Sequence, residues 1–234
     1  MRYHFFMHNK QQKFAKNYFE KQAWTQQYFV CGIDEAGRGC LAGPVVVGAA
    51  ILPHNTSYKL LKDSKVMAEH ERETAYAWIK KHCFFTSVVI DHHTIDRCNI
   101  YQATRFGMKK AFLQLCELIP FAAEKITYLL TDAVPLTIPP YDTHKNLTLF
   151  NPTKGESVSA SIAAASIIAK VTRDRLMAKI SYSFPAFSFE EHKGYGTPTH
   201  TQALTANGQS IIHRQTFLTN FSPNTEHHEQ QTIC

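Results

Sequence analysis

A strand that runs into two adjacent acids and a glycine-rich turn constrains this chain more than any other feature. Residues 32–50 read GIDEAGRGCLAGPVVVGAA, and the apolar run over 28–33 predicts a buried strand that ends at Asp34. Three consecutive valines, which are β-branched, predict a second strand over 44–52. Acids at the carboxyl end of a central strand lie where α/β sheets hold their ligands. The segment therefore predicts a site at the sheet end, built on Asp34 and Glu35.

Apolar periodicity in the rest of the chain alternates between helical and strand patterns. Thr94 is expected to cap a long helix that ends near Leu118, and prolines between 135 and 140 predict a loop. The alternation predicts an α/β fold with helices on the faces of a mixed sheet. The further predicted elements are strands over 84–90, 126–130 and 147–150, and helices over 67–82, 157–180 and 201–206.

Two segments flank the predicted catalytic domain, which spans residues 28–217. Residues 1–27 form an N-terminal extension, in which aromatic side chains between positions 14 and 19 suit one helical stripe. We expect this helix to pack on the edge of the core rather than to act as a separate DNA-binding arm. Residues 218–234 form a polar tail.

Composition excludes several classes of protein. With 44% hydrophobic and 19% charged residues, the chain is not disordered as a whole. The longest uncharged apolar stretch, 39–52, is too short to span a bilayer, and residues 1–16 lack the apolar core of a secretory signal. We therefore expect a cytoplasmic monomer without a membrane partner, whose six cysteines are reduced thiols. The net charge of +6, most of it within residues 1–29, permits a polyanionic partner without requiring one.

Further acids repeat the arrangement at Asp34. Asp132 follows the apolar run 126–131, so it lies beside Asp34 if the two strands are neighbours, and Glu156 precedes a helix rich in serine and alanine. Clustered carboxylates repel one another, and divalent cations offset that repulsion. Mg²⁺ prefers carboxylate oxygens, and two such ions about 4 Å apart can activate water and stabilise the leaving oxygen of a phosphodiester.

One point of geometry stays open at Glu35. Consecutive strand residues face opposite sides, so Asp34 and Glu35 cannot both point at one site from a regular strand. Either the backbone turns at Glu35, which Gly37 and Gly39 would permit, or Glu35 reaches a metal differently, through water or its own carbonyl.

Several motifs resemble, in order, those of ribonuclease HII, the prokaryotic type 2 ribonuclease H family. The resemblance covers about residues 28–217. Besides GIDEAGRG and LAGPVV, the motifs are LKDSK (61–65), IDRCNI (95–100), LLTDA (129–133), KGES (154–157), SIAAASIIAKVTRDR (161–175), HKGYGTP (192–198) and HRQTF (213–217). The resemblance implies an RNase H-like fold: a mixed five-stranded sheet flanked by helices, with a C-terminal helical segment.

The resemblance also implies a chemistry. It implies a metal-dependent endonuclease, using Mg²⁺ or Mn²⁺, that cuts on the 5′ side of ribonucleotides in RNA–DNA hybrids and of single ribonucleotides embedded in duplex DNA. Asp34, Glu35 and Asp132 match three of the family's four metal-site acids, whereas Glu156 stands where aspartate is usual. We expect activity to survive this change, with a metal preference shifted toward Mn²⁺. Two milder departures are Cys40, in place of a common proline, and Ala133, in place of a frequent glycine.

Substrate-binding candidates follow from the need to sense a ribose 2′-hydroxyl. Glycines let backbone groups approach a nucleotide, and Arg38 can grip a phosphate. Tyr195 offers a hydroxyl and a flat ring. The family resemblance assigns Gly37-Arg38-Gly39 and this tyrosine jointly to the junction between ribonucleotide and deoxyribonucleotide. Further candidate phosphate or backbone contacts are Lys65, Asn99 and Lys154.

Alternatives remain at this stage. A ribonuclease HIII-like enzyme would degrade longer RNA in hybrids and incise single ribonucleotides poorly. A nucleic-acid-binding protein without catalysis is favoured only by Glu156. The Asp91-His92-His93 triplet is expected to be a surface cluster at a strand end rather than a phosphoesterase site. For His192, His200 and His213, polar packing is the better interpretation.

Overall fold

A five-stranded mixed sheet forms the centre of the molecule, as expected. The structure, a computed structural model, describes residues 14–138 and 147–218. The strand order is β3-β2-β1-β4-β5, with β1 antiparallel to β2, β2 antiparallel to β3, and β1, β4 and β5 parallel. The strands are β1 (Phe29–Ala36), β2 (Val45–Ile51), β3 (Phe84–Ile90), β4 (Ile126–Thr131) and β5 (Thr148–Phe150).

Helices cover both faces of the sheet. The helix α4 packs on one face over β1–β3, and α7 packs on the other over β1 and β2. The helices are α1 (Tyr18–Thr25), α2 (Glu69–His82), α3 (His92–Cys98), α4 (Ile100–Leu118), α5 (Pro120–Ala123), α6 (Gly155–Val158), α7 (Ala160–Ser181), α8 (Phe189–His192) and α9 (Pro198–Asn207).

The helix α7 lies unusually close to the sheet because two strand residues have no side chain. A Cβ on Gly32 would lie 2.2 Å from the backbone carbon of Ser161, and one on Gly48 would lie 2.3 Å from the carbonyl oxygen of Ala165. The small residues of this segment do pack against a sheet, as predicted. The single helix expected over 157–180 is wrong, since Ser159 is extended between α6 and α7 and its Oγ accepts the Ile162 amide.

The long helix expected from Thr94 is also divided. Asn99 interrupts it with φ of +64°, and the Asn99 side chain caps α4 by accepting the Gln102 amide. The N-cap of α3 is Asp91, whose carboxylate accepts the amide of Thr94, so Thr94 is not the cap. The Asp91-His92-His93 triplet is thus a helix start at a strand end.

The N-terminal helix α1 packs on the edge of the core, as predicted. Phe19 is buried with Leu130 and Ile162. Glu20 is fully buried, and its Oε1 accepts the Ser159 hydroxyl (2.5 Å) and the Ser161 amide (3.0 Å) at the start of α7. The extension therefore binds the segment between α6 and α7.

The C-terminal helical segment docks on the loop after β1. Cys40 pairs with Tyr195, and Ala42 with His213, in isolated β-bridges. Polar packing of the histidines is confirmed: His200 Nδ1 lies 2.8 Å from the carbonyl of Tyr195, and its Nε2 lies 3.0 Å from His213 Nε2. His192 Nε2 lies 2.7 Å from a backbone carbonyl. These buried rings therefore hold the C-terminal helical segment together through hydrogen bonds.

Two further expectations can be compared with the structure. The cysteines at 31, 40, 83, 98 and 116 are free thiols, as expected for reduced cysteines. Within the described residues, no helix is both long and apolar enough to cross a membrane. The prolines at 139 and 140, residues 1–13 of the extension and the tail from 219 lie outside the described residues.

Candidate active site

Asp34 and Asp132 lie where the pairing between two neighbouring parallel strands ends. The pairing of β1 with β4 ends at Ile33 opposite Thr131, so the two aspartates follow it side by side. This juxtaposition was predicted from the two apolar runs. Ala133, after the second aspartate, has φ of +51°, a conformation that glycine adopts at lower cost than alanine.

The strand predicted to end at Asp34 runs further, and of the two alternatives left open at Glu35 the backbone turn at that residue is wrong. Strand β1 continues through Ala36, which pairs with Val46, and the turn begins at Gly37, with φ of +94°. Because β4 has already ended, this part of β1 projects beyond its neighbour and borders a cavity. Asp34 and Glu35 both line that cavity although they are consecutive residues of one strand.

Asp34 is buried among other acids. Its Oδ1 accepts the Glu35 amide at 2.8 Å, while its Oδ2 is buried without a hydrogen-bond partner. Burial raises the pKa of Asp34 well above its usual range, the charges of Glu35, Glu156 and Asp132 raise it further, and the nearby Ser166 hydroxyl acts in the opposite direction. This carboxylate is therefore costly to keep ionised in the protein alone.

Glu35 is partly neutralised by Arg38. Its Oε1 accepts from Arg38 Nη1 at 3.2 Å, and its Oε2 is buried without a partner. Burial raises the pKa of Glu35, the arginine lowers it, and the net effect is an increase. One oxygen of this side chain thus remains available for a cation.

Glu156 joins the cluster from the short helix α6. The amide of Gly155 donates to Asp132 Oδ1 at 2.8 Å, which ties this helix to the end of β4. A Cβ on Gly155 would lie 2.7 Å from the Cδ1 atom of Ile162 and 3.2 Å from that carboxylate oxygen. Burial raises the pKa of Glu156, and the charge of Asp132 adds to the increase.

Lys65 is the nearest ammonium to these acids. Its Nζ lies 3.7 Å from Glu156 Oε1, an oxygen that has no hydrogen-bond partner. Burial acts to lower the pKa of Lys65, but nearby acids, above all Glu156 and Asp34, outweigh it and raise the pKa. The ammonium thus offsets part of the negative charge.

The chemistry of the donor set fits hard divalent cations, although the side chains do not form a closed site. Asp34, Glu35 and Glu156 each carry a buried oxygen without a hydrogen-bond partner. In the described part of the chain, no three Asp, Glu, His or Cys side chains are arranged to hold one ion as they stand. Oxygens of this kind are the ligands that Mg²⁺ prefers.

The cavity beside the acids has a volume of about 220 Å³. Sequence reasoning found most of its lining but missed Ala36, Ser64, Ser166 and Lys170. The Ser64 and Ser166 hydroxyls form a hydrogen bond with each other at 2.8 Å, near Asp34. The lining residues are Asp34, Glu35, Ala36, Gly37, Arg38, Gly39, Ser64, Lys65, Asp132, Ser166, Lys170 and Tyr195.

Tyr195 closes one side of the cavity with its ring beside two cations. Lys170 Nζ lies 5.6 Å and Arg173 Cζ 5.7 Å from the ring centroid, and the side chain remains 39% exposed. Burial raises the pKa of its phenol, and Cys40 contributes to that increase. A partly exposed ring held in this way offers a flat surface to a nucleotide.

Two predicted substrate contacts do not line the cavity. Asn99 acts as the cap of α4, as described above. Lys154 is exposed in a left-handed conformation (φ +56°) just before Glu156, where it sets the start of α6. Both residues therefore stand at the start of a helix, and their contacts with a phosphate backbone stay predictions.

Comparison with known proteins agrees with this architecture. The sequence profile described as Ribonuclease HII matches residues 31–220. A ribonuclease HII of Acholeplasma laidlawii is 42% identical over 201 residues, 85% of this chain and 92% of the relative. One of Geobacter sulfurreducens is 44% identical over 203 residues, 85% of this chain and 87% of the relative.

The chain belongs to the ribonuclease HII family. It is accordingly a ribonuclease H, an endonuclease that hydrolyses phosphodiester bonds. Solved structures support the fold: the archaeal ribonuclease HII of Archaeoglobus fulgidus, from a complex with PCNA, has a TM-score of 0.63 at 23% identity and covers 84% of this chain and 98% of its own. Bst-RNase HIII in complex with Mn²⁺ has a TM-score of 0.63 at 20% identity, with coverages of 83% and 69%.

Proposed function

We propose that this ribonuclease HII cuts the phosphodiester on the 5′ side of a ribonucleotide, both in RNA–DNA hybrids and at single ribonucleotides in duplex DNA. The products would carry 3′-hydroxyl and 5′-phosphate ends. The observation that carries the proposal is that Asp34, Glu35 and Asp132 border the same cavity as the Gly37-Arg38-Gly39 turn and Tyr195. Asp34 and Glu35 each have a buried oxygen without a hydrogen-bond partner there, and Glu156 lies beside these acids but outside the cavity lining.

Asp34, Glu35, Asp132 and Glu156 would hold Mg²⁺ or Mn²⁺, in a two-metal arrangement. When bound, such cations would supply activation of water and stabilisation of the leaving oxygen. The Mn²⁺ reported with the ribonuclease HIII above supports a divalent ion for this fold. In this chain, the acids would set the position of the reaction, since the unpartnered oxygens of Asp34 and Glu35 lie where β1 projects beyond β4.

Substrate selection would come from the residues of the cavity lining that are not acids. Arg38 and Lys65 carry positive charge toward a phosphate backbone, and Arg38 is 41% exposed on its side chain. The ring of Tyr195 would lie against a sugar, where a 2′-hydroxyl distinguishes ribose from deoxyribose. Gly39 has open space at its Cβ position, which lets a nucleotide approach the backbone there.

One experiment separates this function from the two alternatives, a ribonuclease HIII-like enzyme and a non-catalytic nucleic-acid-binding protein. Three matched duplexes would be offered, containing one ribonucleotide, a longer RNA tract or DNA alone, each with Mg²⁺, Mn²⁺ or EDTA. We expect cleavage of the first two, none of the third, and none in EDTA. Cleavage of the RNA tract alone would indicate a ribonuclease HIII-like preference, and binding without cleavage would indicate a non-catalytic protein. Either result would refute the proposal.

A further inference from the structure

Arg214 is a fully buried cation whose side chain donates to backbone carbonyls. Its Nη2 donates to the carbonyl of Gly37 at 2.7 Å, its Nη1 to that of Arg38 at 2.9 Å, and its Nε to that of Gly43 at 2.9 Å. Among the described residues, no carboxylate forms a salt bridge with it. The buried charge is thus compensated by three carbonyl dipoles, two of them in the turn that lines the active-site cavity.

The direction of those carbonyls fixes the direction of two amides. A trans peptide is planar, and its C=O and N–H point opposite ways. When the Gly37 and Arg38 carbonyls face Arg214, the amides of Arg38 and Gly39 face away from it. Neither amide donates to a protein acceptor within residues 14–138 and 147–218. Both residues are exposed and line the cavity, so their N–H groups are available to a ligand there.

The segment that carries Arg214 has a separate anchor. Asp96 accepts hydrogen bonds from the amides of Gln215 and Thr216, both at 3.0 Å, and from the Thr216 hydroxyl at 2.6 Å. Asp96 does not contact the turn. The two anchors therefore allow a test that separates attachment of the C-terminal segment from orientation of the turn.

We propose that Arg214 is a positioning residue for substrate recognition, which holds the Arg38 and Gly39 amides toward an oxygen of the bound nucleotide. The inference rests on the proposed function and adds a residue outside the acid cluster and the turn. Arginine suits the task because its planar fork donates in several fixed directions, whereas a lysine ammonium is a compact point charge. Burial lowers the pKa of Arg214 to about 10, which leaves it charged at neutral pH.

The test compares Arg214→Lys and Arg214→Gln with the control Asp96→Ala. For each folded variant, kcat and KM are measured on a duplex with one ribonucleotide, and affinity is measured in EDTA for that duplex and for DNA alone. We expect Arg214→Lys to lose about tenfold in kcat/KM on the ribonucleotide, the size of one lost hydrogen bond. Its preference for the ribonucleotide duplex should fall while affinity for DNA alone is kept. Asp96→Ala should lower Tm and leave that preference unchanged.

The outcomes separate this inference from the function on which it rests. If wild type fails to incise the ribonucleotide, the proposed function and this inference both fall. If wild type incises it and Arg214→Lys keeps the full preference, the positioning role alone is wrong. An equal loss of preference in Asp96→Ala would likewise overturn it, because loosening of the segment would then explain both. Arg214→Lys keeps the charge, so it provides the measurement if Arg214→Gln does not fold.

Discussion

Replacing Asp34 by asparagine is expected to stabilise the metal-free protein while abolishing its activity. Asp34 is 3% exposed, and its Oδ2 has no hydrogen-bond partner. A buried polar atom without a partner costs about 1–3 kcal/mol. Asparagine keeps the oxygen that accepts the Glu35 amide and replaces the orphaned oxygen by an NH₂ donor among carboxylates. The free energy of unfolding in EDTA should therefore rise by about 1–3 kcal/mol.

Thermal unfolding gives a direct assay. For a chain of this size, 1 kcal/mol shifts Tm by about 2–4 °C, so the gain corresponds to about 2–12 °C. The control is Asp91→Asn, which removes one charge from an exposed helix cap while keeping an acceptor for the Thr94 amide. A Tm for Asp34→Asn at or below wild type in EDTA would refute the reasoning, as would an equal gain in the control.

The pH dependence of that gain has a defined sign. Because the pKa of Asp34 is raised in the folded state, the native protein binds more protons than the unfolded chain between the two pKa values. Stability from this group is therefore lost as pH rises through that interval. The advantage of Asp34→Asn should be smallest near pH 4 and grow toward neutral pH. With saturating Mn²⁺ the order should reverse, since only wild type gains fully from binding.

Three further predictions concern other residues. Glu156→Gln should lose most cleavage, whereas Glu156→Asp should keep it and shift the Mn²⁺-to-Mg²⁺ activity ratio toward Mg²⁺; cleavage by Glu156→Gln at the wild-type rate would exclude this acid from the site. Glu20→Ala should lower the free energy of unfolding in urea by about 1–3 kcal/mol, since it removes two hydrogen bonds accepted by Oε1, a loss partly offset by removal of the buried Oε2, which has no partner, and a loss below about 0.5 kcal/mol would contradict that role. Tyr195→Ala should lose cleavage at a single ribonucleotide more than it loses duplex affinity; equal losses in the two assays would exclude its role in recognition.

The sequence was most informative where local pattern and chemistry coincide. Apolar runs that end in an acid predicted β1 and β4, and parallel pairing then brought Asp34 and Asp132 together. The break at Asn99 was not predictable, because a non-glycine residue with positive φ leaves no clear mark in the apolar periodicity. The division at Ser159 was hidden in the same way, since helical residues flank it on both sides.

Contacts between distant parts of the chain account for the rest. Helix α7 is buried on nearly every side, so no polar stripe indicates that Ser166 and Lys170 face the cavity. Arg214 and its Gly37 carbonyl are 177 positions apart, and Glu20 and the Ser161 amide are 141 apart. Such pairs depend on how the segments dock, which neither periodicity nor motif spacing encodes.

The central claim is that acids from separate strands and a short helix converge on divalent cations. Anomalous diffraction from crystals soaked in Mn²⁺ tests this directly, because it locates the ion without relying on activity. The account predicts a peak within bonding distance of carboxylate oxygens from both Asp34 and Asp132. A peak that contacts neither, or none at a concentration that supports full cleavage, would contradict it.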